Sequence, residues 1–269
     1  MTIPKSAPVI RTFDYALDEP RTMAYHDWIA ANVNGKVVCE LGAGSGILTY
    51  LCIKYGATKV YCYENNKRVI DWLKRFFASE TKVEIVEEDI TTATFPTADI
   101  YLHENIGSNV YMENILGMYT NLKSQGLEDK TYPNKIKIQY GTYTGESQLH
   151  KYSKSSTYIA DTFTNANVLS FFNDCPMEDK ILPFTWHNMT HDQSAMTFNG
   201  TLYDGDLKDL TRYTDSDANS QYLFWEVSFD GSYPISNWKF RNHWNIIKAG
   251  DNCMDIMDSS VMTYTVKEV

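Results

Sequence analysis

The sequence predicts an α/β fold, a parallel sheet covered by helices, followed by a β-rich C-terminal region. Between Gly35 and Gln139, apolar runs rich in Val, Ile and Tyr alternate with segments of helical period, which is typical of a parallel sheet. After Tyr132-Pro133, short β-forming runs are separated by Asn, Asp, Gly and Ser clusters, which favours an antiparallel sandwich or barrel. Because 43% of the 269 residues are hydrophobic, the chain is long enough for both parts to fold.

The elements follow from these runs in chain order. An amphipathic helix is predicted over Glu19–Ala31. The strands of the parallel sheet are predicted at Lys36–Leu41, Lys59–Glu64, Lys82–Glu87 and Ala98–Glu104. The helices between and after them are predicted at Gly46–Tyr55, Asn66–Ser79 and Tyr111–Lys123. The later strands are predicted at Ile136–Tyr143, Ala195–Tyr203, Tyr222–Phe229, Trp238–Ile247 and Val261–Val266. We therefore expect a helical segment over 1–34, an α/β domain over 35–133 and a β-barrel-like domain over 134–269.

Charge and composition exclude several classes of partner. The net charge of −10 would repel a phosphate backbone, so we expect no nucleic acid partner. No stretch approaches 18 apolar residues and the N-terminus has no signal-peptide pattern, so we expect a cytoplasmic protein without a membrane segment. The five cysteines form no CxxC or Cys/His cluster, so no metal site is expected.

A glycine-rich turn, Glu40-Leu-Gly-Ala-Gly-Ser-Gly46, joins the first predicted strand to a helix. Glycines let a ligand approach the backbone closely, although they could also serve only to make a tight connection. A dinucleotide fingerprint starting at Gly42 would need glycine at Ile47, whereas E/D-x-G-x-G-x-G is the pattern of class I methyltransferases. A carboxylate at Glu40 suits an ammonium better than a pyrophosphate. The turn therefore predicts S-adenosyl-L-methionine as the cofactor.

Further cofactor contacts are predicted at the ends of the next two strands. Glu64 lies about 20 residues beyond the turn, where a carboxylate can accept hydrogen bonds from both ribose hydroxyls. Asp89 follows the third strand and is the candidate for the adenine edge. The predicted cofactor-binding residues on these strand ends and on the turn are Glu40, Gly42, Ala43, Gly44, Gly46, Ile47, Leu48, Glu64, Asn65 and Asp89.

Two glutamates, Glu104 and Glu113, lie nine positions apart across the loop that follows the fourth strand. Neighbouring carboxylates repel each other unless a cation lies between them, so the pair suits a guanidinium held by bidentate hydrogen bonds. The alternatives are that Glu104 is a structural carboxylate at the end of a strand and that Glu113 is an ordinary residue on the surface of a helix. Strand alternation should turn the adjacent His103 to the other side of the sheet.

These motifs resemble those of the protein arginine methyltransferases. The family's double-Glu loop aligns with His103 through Leu116, and its G-x-G-x-G-I-L turn continues through Ile47-Leu48. Its D-x-x-R-T-x-x-Y segment aligns with Asp18 through Tyr25, and its T-H-W loop with Asn242-His243-Trp244. The resemblance implies a Rossmann-like class I methyltransferase domain followed by a barrel. It also implies that Arg21 holds the cofactor carboxylate, that Glu104 borders the cofactor, and that His243 pairs with Asp18.

The chain also departs from the family pattern. Asn105-Ile106 replaces Trp-Met in the double-Glu loop, the C-terminal region is short, and the aromatic segment that caps the family's cofactor has no clear counterpart before Asp18. Ser153–Lys180 is a candidate insertion that could serve as the arm of a homodimer.

The predicted reaction is direct displacement, in which a methyl group passes to a guanidinium nitrogen of a protein or peptide arginine. Glu104 and Glu113 would hold that guanidinium, and His243 and Asp18 complete the predicted catalytic set. The alternatives are a methyltransferase that acts on a small-molecule guanidinium or another side chain, and a non-catalytic S-adenosylmethionine-binding assembly module.

Overall fold

The protein is described here by a computed structural model. It describes residues 12–13, 15–107, 110–111, 113–145, 148–153, 163–175, 185–190, 193–211, 222–238, 241–242, 247–248, 254–258 and 263–267.

The first five strands form one parallel sheet. They are β1 (Val37–Leu41), β2 (Lys59–Tyr63), β3 (Val83–Val86), β4 (Ile100–His103) and β5 (Thr131–Tyr132). Their spatial order is β3-β2-β1-β4-β5, and β1 pairs in parallel with both β2 and β4. Strands β2 and β3 thus extend the sheet on one side of β1, and β4 and β5 extend it on the other, so the strand order reverses between β1 and β4. The carboxyl ends of two such strands border a crevice in which α/β proteins bind ligands.

The helices whose bounds lie within the described residues accompany the strands. They are α1 (Glu19–Asn32), α2 (Ile47–Lys54), α3 (Lys67–Phe76), α4 (Ile115–Ser124) and α5 (Ala166–Asp174). Local sequence explains where several of them begin: Asp18 and Asn66 accept backbone hydrogen bonds at the N-termini of α1 and α3, which satisfies donors that the helix itself leaves unpaired. Pro20 in the first turn of α1 lacks an N–H that would need a partner.

A second, antiparallel sheet follows β5. It has the order β11-β10-β6-β9, with β13 paired to β10. Its strands are β6 (Lys135–Tyr143), β9 (Met196–Asp206), β10 (Tyr222–Phe229), β11 (Ser232–Ser236) and β13 (Ile247–Lys248). A three-stranded sheet and a hairpin are formed by β7 (Gln148–Ser153), β8 (Thr185–Thr190) and β12 (Arg241–Asn242), and by β14 (Met254–Asp258) and β15 (Thr263–Lys267). Within the described ranges these strands do not close into a barrel.

Helix α1 connects the two large sheets through its aromatic side chains. The ring of Trp28 lies 4.8 Å from that of Tyr132 on β5 and 5.0 Å from that of Phe229 on β10. Tyr25 also contacts Phe229, with ring centroids 5.1 Å apart. Ile29 on the same helix is fully buried. Helix α1 therefore packs against both the parallel and the antiparallel sheet.

The predicted α/β fold with a following β-rich region is confirmed, and the predicted bounds of two elements are wrong. The third helix begins at Ile115 instead of Tyr111, because Asn114 before it has a left-handed backbone (φ 53°). Trp238 lies in a bend and not in a strand, and the described residues of the predicted span Trp238–Ile247 include β12 and only the first residue of β13. The predicted insertion Ser153–Lys180 contains helix α5. Among the helices of the described ranges, none is both long and apolar enough to span a bilayer.

Candidate active site

The glycine turn lies between β1 and α2 and is tied to the end of β2. The N–H groups of Gly42 and Ala43 both donate to the carbonyl of Tyr63, at 3.0 and 2.8 Å. Gly42 and Gly44 have φ values of 83° and 52°, a left-handed conformation that favours glycine. Their backbone also borders the crevice. Glycine at these two positions therefore permits the left-handed turn and leaves the space beside it free of side chains.

Gly46, the third glycine of the turn, is required for packing. Its φ is 82°, and a Cβ there would lie 2.8 Å from Leu73 and 2.9 Å from Phe77. Both neighbours belong to the helix α3 side of the sheet. Gly46 thus faces away from the crevice, unlike Gly42 and Gly44, and its predicted contact with a cofactor can only be made by its backbone.

Glu64 follows β2 and is oriented by backbone donors. Its carboxylate accepts hydrogen bonds from the N–H groups of Gly44 (3.2 Å), Asn65 (2.9 Å) and Asn66 (2.8 Å). The Asn65 side chain donates to Asp89 at 3.2 Å. Hydrogen bonds from Thr91 lower the pKa of Asp89. The second and third strand ends therefore present two oriented carboxylates on one side of the crevice.

Two cavities occupy the crevice. The outer one has a volume of about 320 Å³ and the inner one about 50 Å³. Predicted residues that line the outer cavity are Gly42, Gly44, Glu64, Asn65, Asp89, Glu104 and Glu113. Predicted residues that line the inner cavity are Arg21, Glu40, Gly42, Ala43, Gly44, Ile47, Leu48 and Glu104. The structure therefore brings together the residues predicted for the cofactor and the two glutamates predicted for the acceptor.

Glu40 lines the inner cavity. It is 1% exposed and accepts a hydrogen bond from the Thr49 hydroxyl. Burial raises the pKa of Glu40 to about 8, although the Thr49 hydrogen bonds oppose that shift. The carboxyl group is therefore largely protonated at neutral pH unless a cation is brought beside it.

Glu104 and Glu113, in the loop that follows β4, both lie near a guanidinium of the chain itself. Arg21 forms an ion pair with Glu104, and the two side chains are only 7% and 13% exposed. Glu113 accepts a hydrogen bond from the hydroxyl of Tyr15 at 3.3 Å, and the Arg21 guanidinium lies 4.8 Å from the centre of the Tyr15 ring. Burial raises the pKa of Glu113, and the charge of Arg21 counteracts this shift. The arrangement can bind a planar cation.

The predicted partners Asp18 and His243 differ in what the structure shows. Asp18 is fully buried and accepts a hydrogen bond from the N–H of Arg21 at 3.4 Å as the N-cap of α1. His243 lies outside the described residues, so the predicted pair stays a prediction. His103 is buried away from the cavities, with its Nε2 3.1 Å from the carbonyl of Pro133. Burial lowers the pKa of His103 to about 4, so it is a neutral packing residue.

The sequence interpretation missed a segment that covers the crevice. Thr12 and Tyr15 line both cavities, and Thr12 lies 3.5 Å from where a Cβ of Gly44 would be. Thr12 and Tyr15 therefore border the site from the stretch before Asp18, in which the sequence shows no clear counterpart of the family's aromatic segment. The aromatic residues Phe13 and Tyr15 are the sequence feature from which this segment could have been predicted.

Asn105, which replaces a Trp of the family pattern, connects the loop that follows β4 to the glycine turn. Its side-chain amide donates to the carbonyl of Leu41 at 2.8 Å, and a Cβ on Gly42 would lie 2.7 Å from its Oδ1. Among the described residues, no three His, Cys, Asp or Glu side chains are grouped as metal ligands would be.

Comparison with known proteins was made by family, sequence and structure. No family model matches the chain. It is 27% identical over 173 residues to the histone-arginine methyltransferase CARMER of Culex quinquefasciatus, a match that covers 60% of this chain and 28% of that protein. The protein of the same name from Aedes aegypti is 26% identical over 171 residues, which cover 60% of this chain and 28% of that protein. The matched part is thus less than a third of the length of these relatives.

The solved structures that resemble the chain include PRMT6. It superposes with a TM-score of 0.52 at 13% identity, over 86% of this chain and 84% of that one. A PRMT6-SAH structure gives a TM-score of 0.50 at 14% identity, over 86% of this chain and 84% of that one. At this identity the likeness shows the fold. In the order of its motifs and in its sequence match the chain is similar to the arginine methyltransferases, and it has a class I methyltransferase fold.

Proposed function

We propose that this protein binds S-adenosyl-L-methionine and transfers its methyl group to a guanidinium nitrogen of an arginine in a protein or peptide. The main support is that one cavity is lined by both the glycine turn with Glu64 and the acceptor carboxylates Glu104 and Glu113. Donor and acceptor would therefore meet at the strand ends where α/β proteins bind ligands. The SAH in a PRMT6 structure and the arginine methyltransferase names of the sequence relatives support the same proposal.

The residues of the crevice fit the proposed cofactor. A cavity of about 320 Å³ lies within the usual size range of small-molecule sites. Glu64 would accept the ribose hydroxyls, Asn65 and Asp89 would face the adenine, and Arg21 would hold the carboxylate. When bound, the sulfonium of S-adenosylmethionine supplies an activated methyl group with a neutral leaving group. The backbone of Gly42 and Gly44 leaves room for close contact, since no side chain projects from it.

The acceptor side would work by positioning and electrostatics. Glu104 already binds a guanidinium, that of Arg21, so its environment stabilises an ion pair with this group. A second guanidinium between Glu104 and Glu113 would favour the ionised form of Glu113, because a nearby cation lowers the pKa that burial raises. The two carboxylates would orient the acceptor and draw its positive charge away from the attacking nitrogen.

Two rival functions remain distinguishable by experiment. One is a methyltransferase that acts on a small molecule or another side chain, and the other is an S-adenosylmethionine-binding module without catalysis. The protein should be incubated with methyl-labelled S-adenosylmethionine and a lysate, and the labelled residue identified by mass spectrometry. Label on protein arginine supports the proposal. Label on metabolites or on other side chains supports the first rival, and cofactor binding without any transfer supports the second.

A further inference from the structure

Helix α5, in the insertion within the β-rich region, packs against helices of the α/β domain. Its start is fixed by Asn165, whose side chain accepts hydrogen bonds from the N–H groups of Asn167 (2.9 Å) and Val168 (3.3 Å). Near its end, Asp174 accepts a hydrogen bond from the hydroxyl of Tyr50 on α2 at 2.5 Å. The helix is therefore held at a defined position on the outer side of the parallel sheet.

Phe171 is the centre of this contact and is fully buried. Its ring lies 5.5 Å from the rings of both Tyr50 on α2 and Phe76 on α3, in edge-on geometry. It also stacks on Phe13, with centroids 6.0 Å apart and planes 23° apart. Phe13 belongs to the segment 12–17 that covers the crevice. The aromatic cluster thus connects α5 to a part of the chain far from it in sequence.

Phe13 in turn lies between α5 and the glycine turn. On its other side it contacts Trp72 at 5.4 Å, and the Trp72 indole N–H donates to the carbonyl of Ser45 at 3.1 Å. Its neighbours Thr12 and Tyr15 line the cavities. One buried ring therefore fixes a segment whose flanking side chains form part of the candidate cofactor site.

The described residues of segment 12–17 form short-range hydrogen bonds. The N–H of Leu17 donates to the carbonyl of Phe13 at 2.9 Å, and the Thr22 hydroxyl donates to the carbonyl of Ala16 at 2.8 Å. Short helical turns are marginal in water without tertiary packing, because nucleation costs more than a few local hydrogen bonds return. The packing of Phe13 against Phe171 and Trp72 supplies the stabilisation that the turn lacks.

We propose that Phe171 is a positioning residue for the cofactor site, which acts through Phe13 to hold segment 12–17 over the glycine turn. The inference deepens the proposed function and rests on it for its binding readout. When Phe171 is truncated, the covering arrangement becomes a minor state, and apparent affinity falls by the fraction that remains competent.

The test compares Phe171→Ala and Phe171→Leu with Phe224→Ala in the full chain. Phe224 is an equally buried ring on the second sheet, outside the aromatic cluster, so its truncation controls for general destabilisation. We measure amide hydrogen exchange of residues 13–18 and the Kd for S-adenosylmethionine. For Phe171→Ala we expect exchange at Leu17 to accelerate about tenfold or more and Kd to rise about tenfold, as for a covering state reduced to roughly a tenth. Phe171→Leu should give a smaller change in both, and Phe224→Ala less than about twofold in either.

The two readouts separate the inference from the proposed function. If the wild-type protein binds no S-adenosylmethionine, the proposed function fails, and exchange at residues 13–18 still decides whether α5 holds the segment. If both Phe171 variants resemble Phe224→Ala in exchange, the inference is overturned. If exchange accelerates in the Phe171 variants while Kd stays unchanged, the segment is held by α5 but does not position the cofactor, which also overturns it. Should Phe171→Ala unfold, the same criteria apply to Phe171→Leu.

Discussion

At the residue scale, the acceptor side depends on two carboxylates that need a cation between or beside them. Glu104 has one in Arg21, whereas Glu113 is held by a hydroxyl, that of Tyr15. Burial raises the pKa of Glu113. A cationic acceptor beside it would lower that pKa and favour the ionised carboxylate. Arg21 thus neutralises Glu104 more directly than Glu113, and under the proposed function Glu113 is the glutamate that would supply charge to a substrate guanidinium.

We expect Glu113→Gln to abolish methyl transfer while leaving cofactor binding nearly intact. Glutamine keeps an acceptor oxygen for Tyr15 but lacks the charge that orients a guanidinium, and loss of one such interaction typically costs about 10²–10³-fold in rate. Turnover with an arginine peptide and the Kd for S-adenosylmethionine are measured together. Glu84→Gln is the control, because this glutamate forms an exposed pair with Lys59 far from the crevice. Retained turnover in Glu113→Gln would exclude the proposed role.

Glu40 should make stability depend on pH. Its pKa is raised by burial from 4.5 to about 8, so across that interval the folded carboxyl keeps a proton that the unfolded chain releases. The free energy of unfolding therefore falls as pH rises from about 4.5 to 8. Glutamine has no such proton. Relative to wild type, Glu40→Gln should gain stability between pH 5 and pH 8, by a few kcal/mol at about 1.4 kcal/mol per pKa unit.

Urea unfolding at pH 5, 6.5 and 8 measures this difference. The comparison is made between the two proteins at each pH, so that other titrating groups cancel. A stability difference that stays constant over the three pH values would show that Glu40 is ionised in the folded protein. In that case its carboxylate would be ready for a cofactor ammonium without any change in protonation.

At the element scale, the sequence predicted those strands and helices whose pattern is local. Strand β1 and helix α2 could be located because a buried apolar run, three glycines and a second apolar run follow one another. The start of α4 could not, since Asn114 leaves helical geometry in a loop whose shape is set by tertiary contacts. Helix α5 was missed because its apolar face, Val168 and Phe171, is short and is defined by the helices on which it packs.

The site shows the same division between local and tertiary information. Glu64 and Glu104 could be predicted because each directly ends a recognisable strand. Tyr15 and Asn105 could not, because their roles depend on contacts with Glu113 and with the carbonyl of Leu41, which are distant in sequence. The same applies to the Arg21–Glu104 pair, since nothing in the spacing of two distant residues shows that they meet.

Two roles of Asp18 can be separated by substitution: the N-cap of α1 and the predicted catalytic role. Its carboxylate accepts the Arg21 N–H while fully buried. Asp18→Ala removes the cap and should lower the free energy of unfolding by about 1–2 kcal/mol, whereas Asp18→Asn keeps an acceptor and should lose less than about 0.5 kcal/mol. Because the predicted pair with His243 needs the charge, Asp18→Asn should still lower turnover. Full turnover in Asp18→Asn would leave Asp18 with a structural role alone.

At the scale of the whole molecule, α1 links the two large sheets and also leads from the segment that covers the crevice. Trp28 contacts both sheets, and Arg21 at the start of the same helix reaches Glu104. A displacement of one sheet relative to the other would therefore move α1, and with it Arg21 and its ion pair with Glu104. The β-rich region thus affects the candidate site through α1 and, in our inference, through α5.

The charge of the whole molecule should steer cationic acceptors to the crevice. The net charge is −10, and the acidic side chains that line the outer cavity are Glu64, Glu88, Asp89, Glu104 and Glu113. Among the described residues that line this cavity there is no Lys, Arg or His. Such a field raises the encounter rate of cations and is screened by salt. For an arginine peptide with basic flanks, kcat/KM should fall about tenfold between roughly 0.02 M and 0.5 M salt, as the Debye length shrinks from about 20 Å to about 4 Å.

The control is a peptide with the same arginine and acidic flanks that make its net charge zero. Its kcat/KM should depend much less on salt, because the long-range field acts on net charge while the buried contacts of one guanidinium are screened little. For both peptides kcat at saturation should stay nearly constant, since steering affects encounter and not the bound complex. Equal salt dependence of kcat/KM for the two peptides would contradict steering, and selection of the acceptor would then rest on the contacts with Glu104 and Glu113 alone.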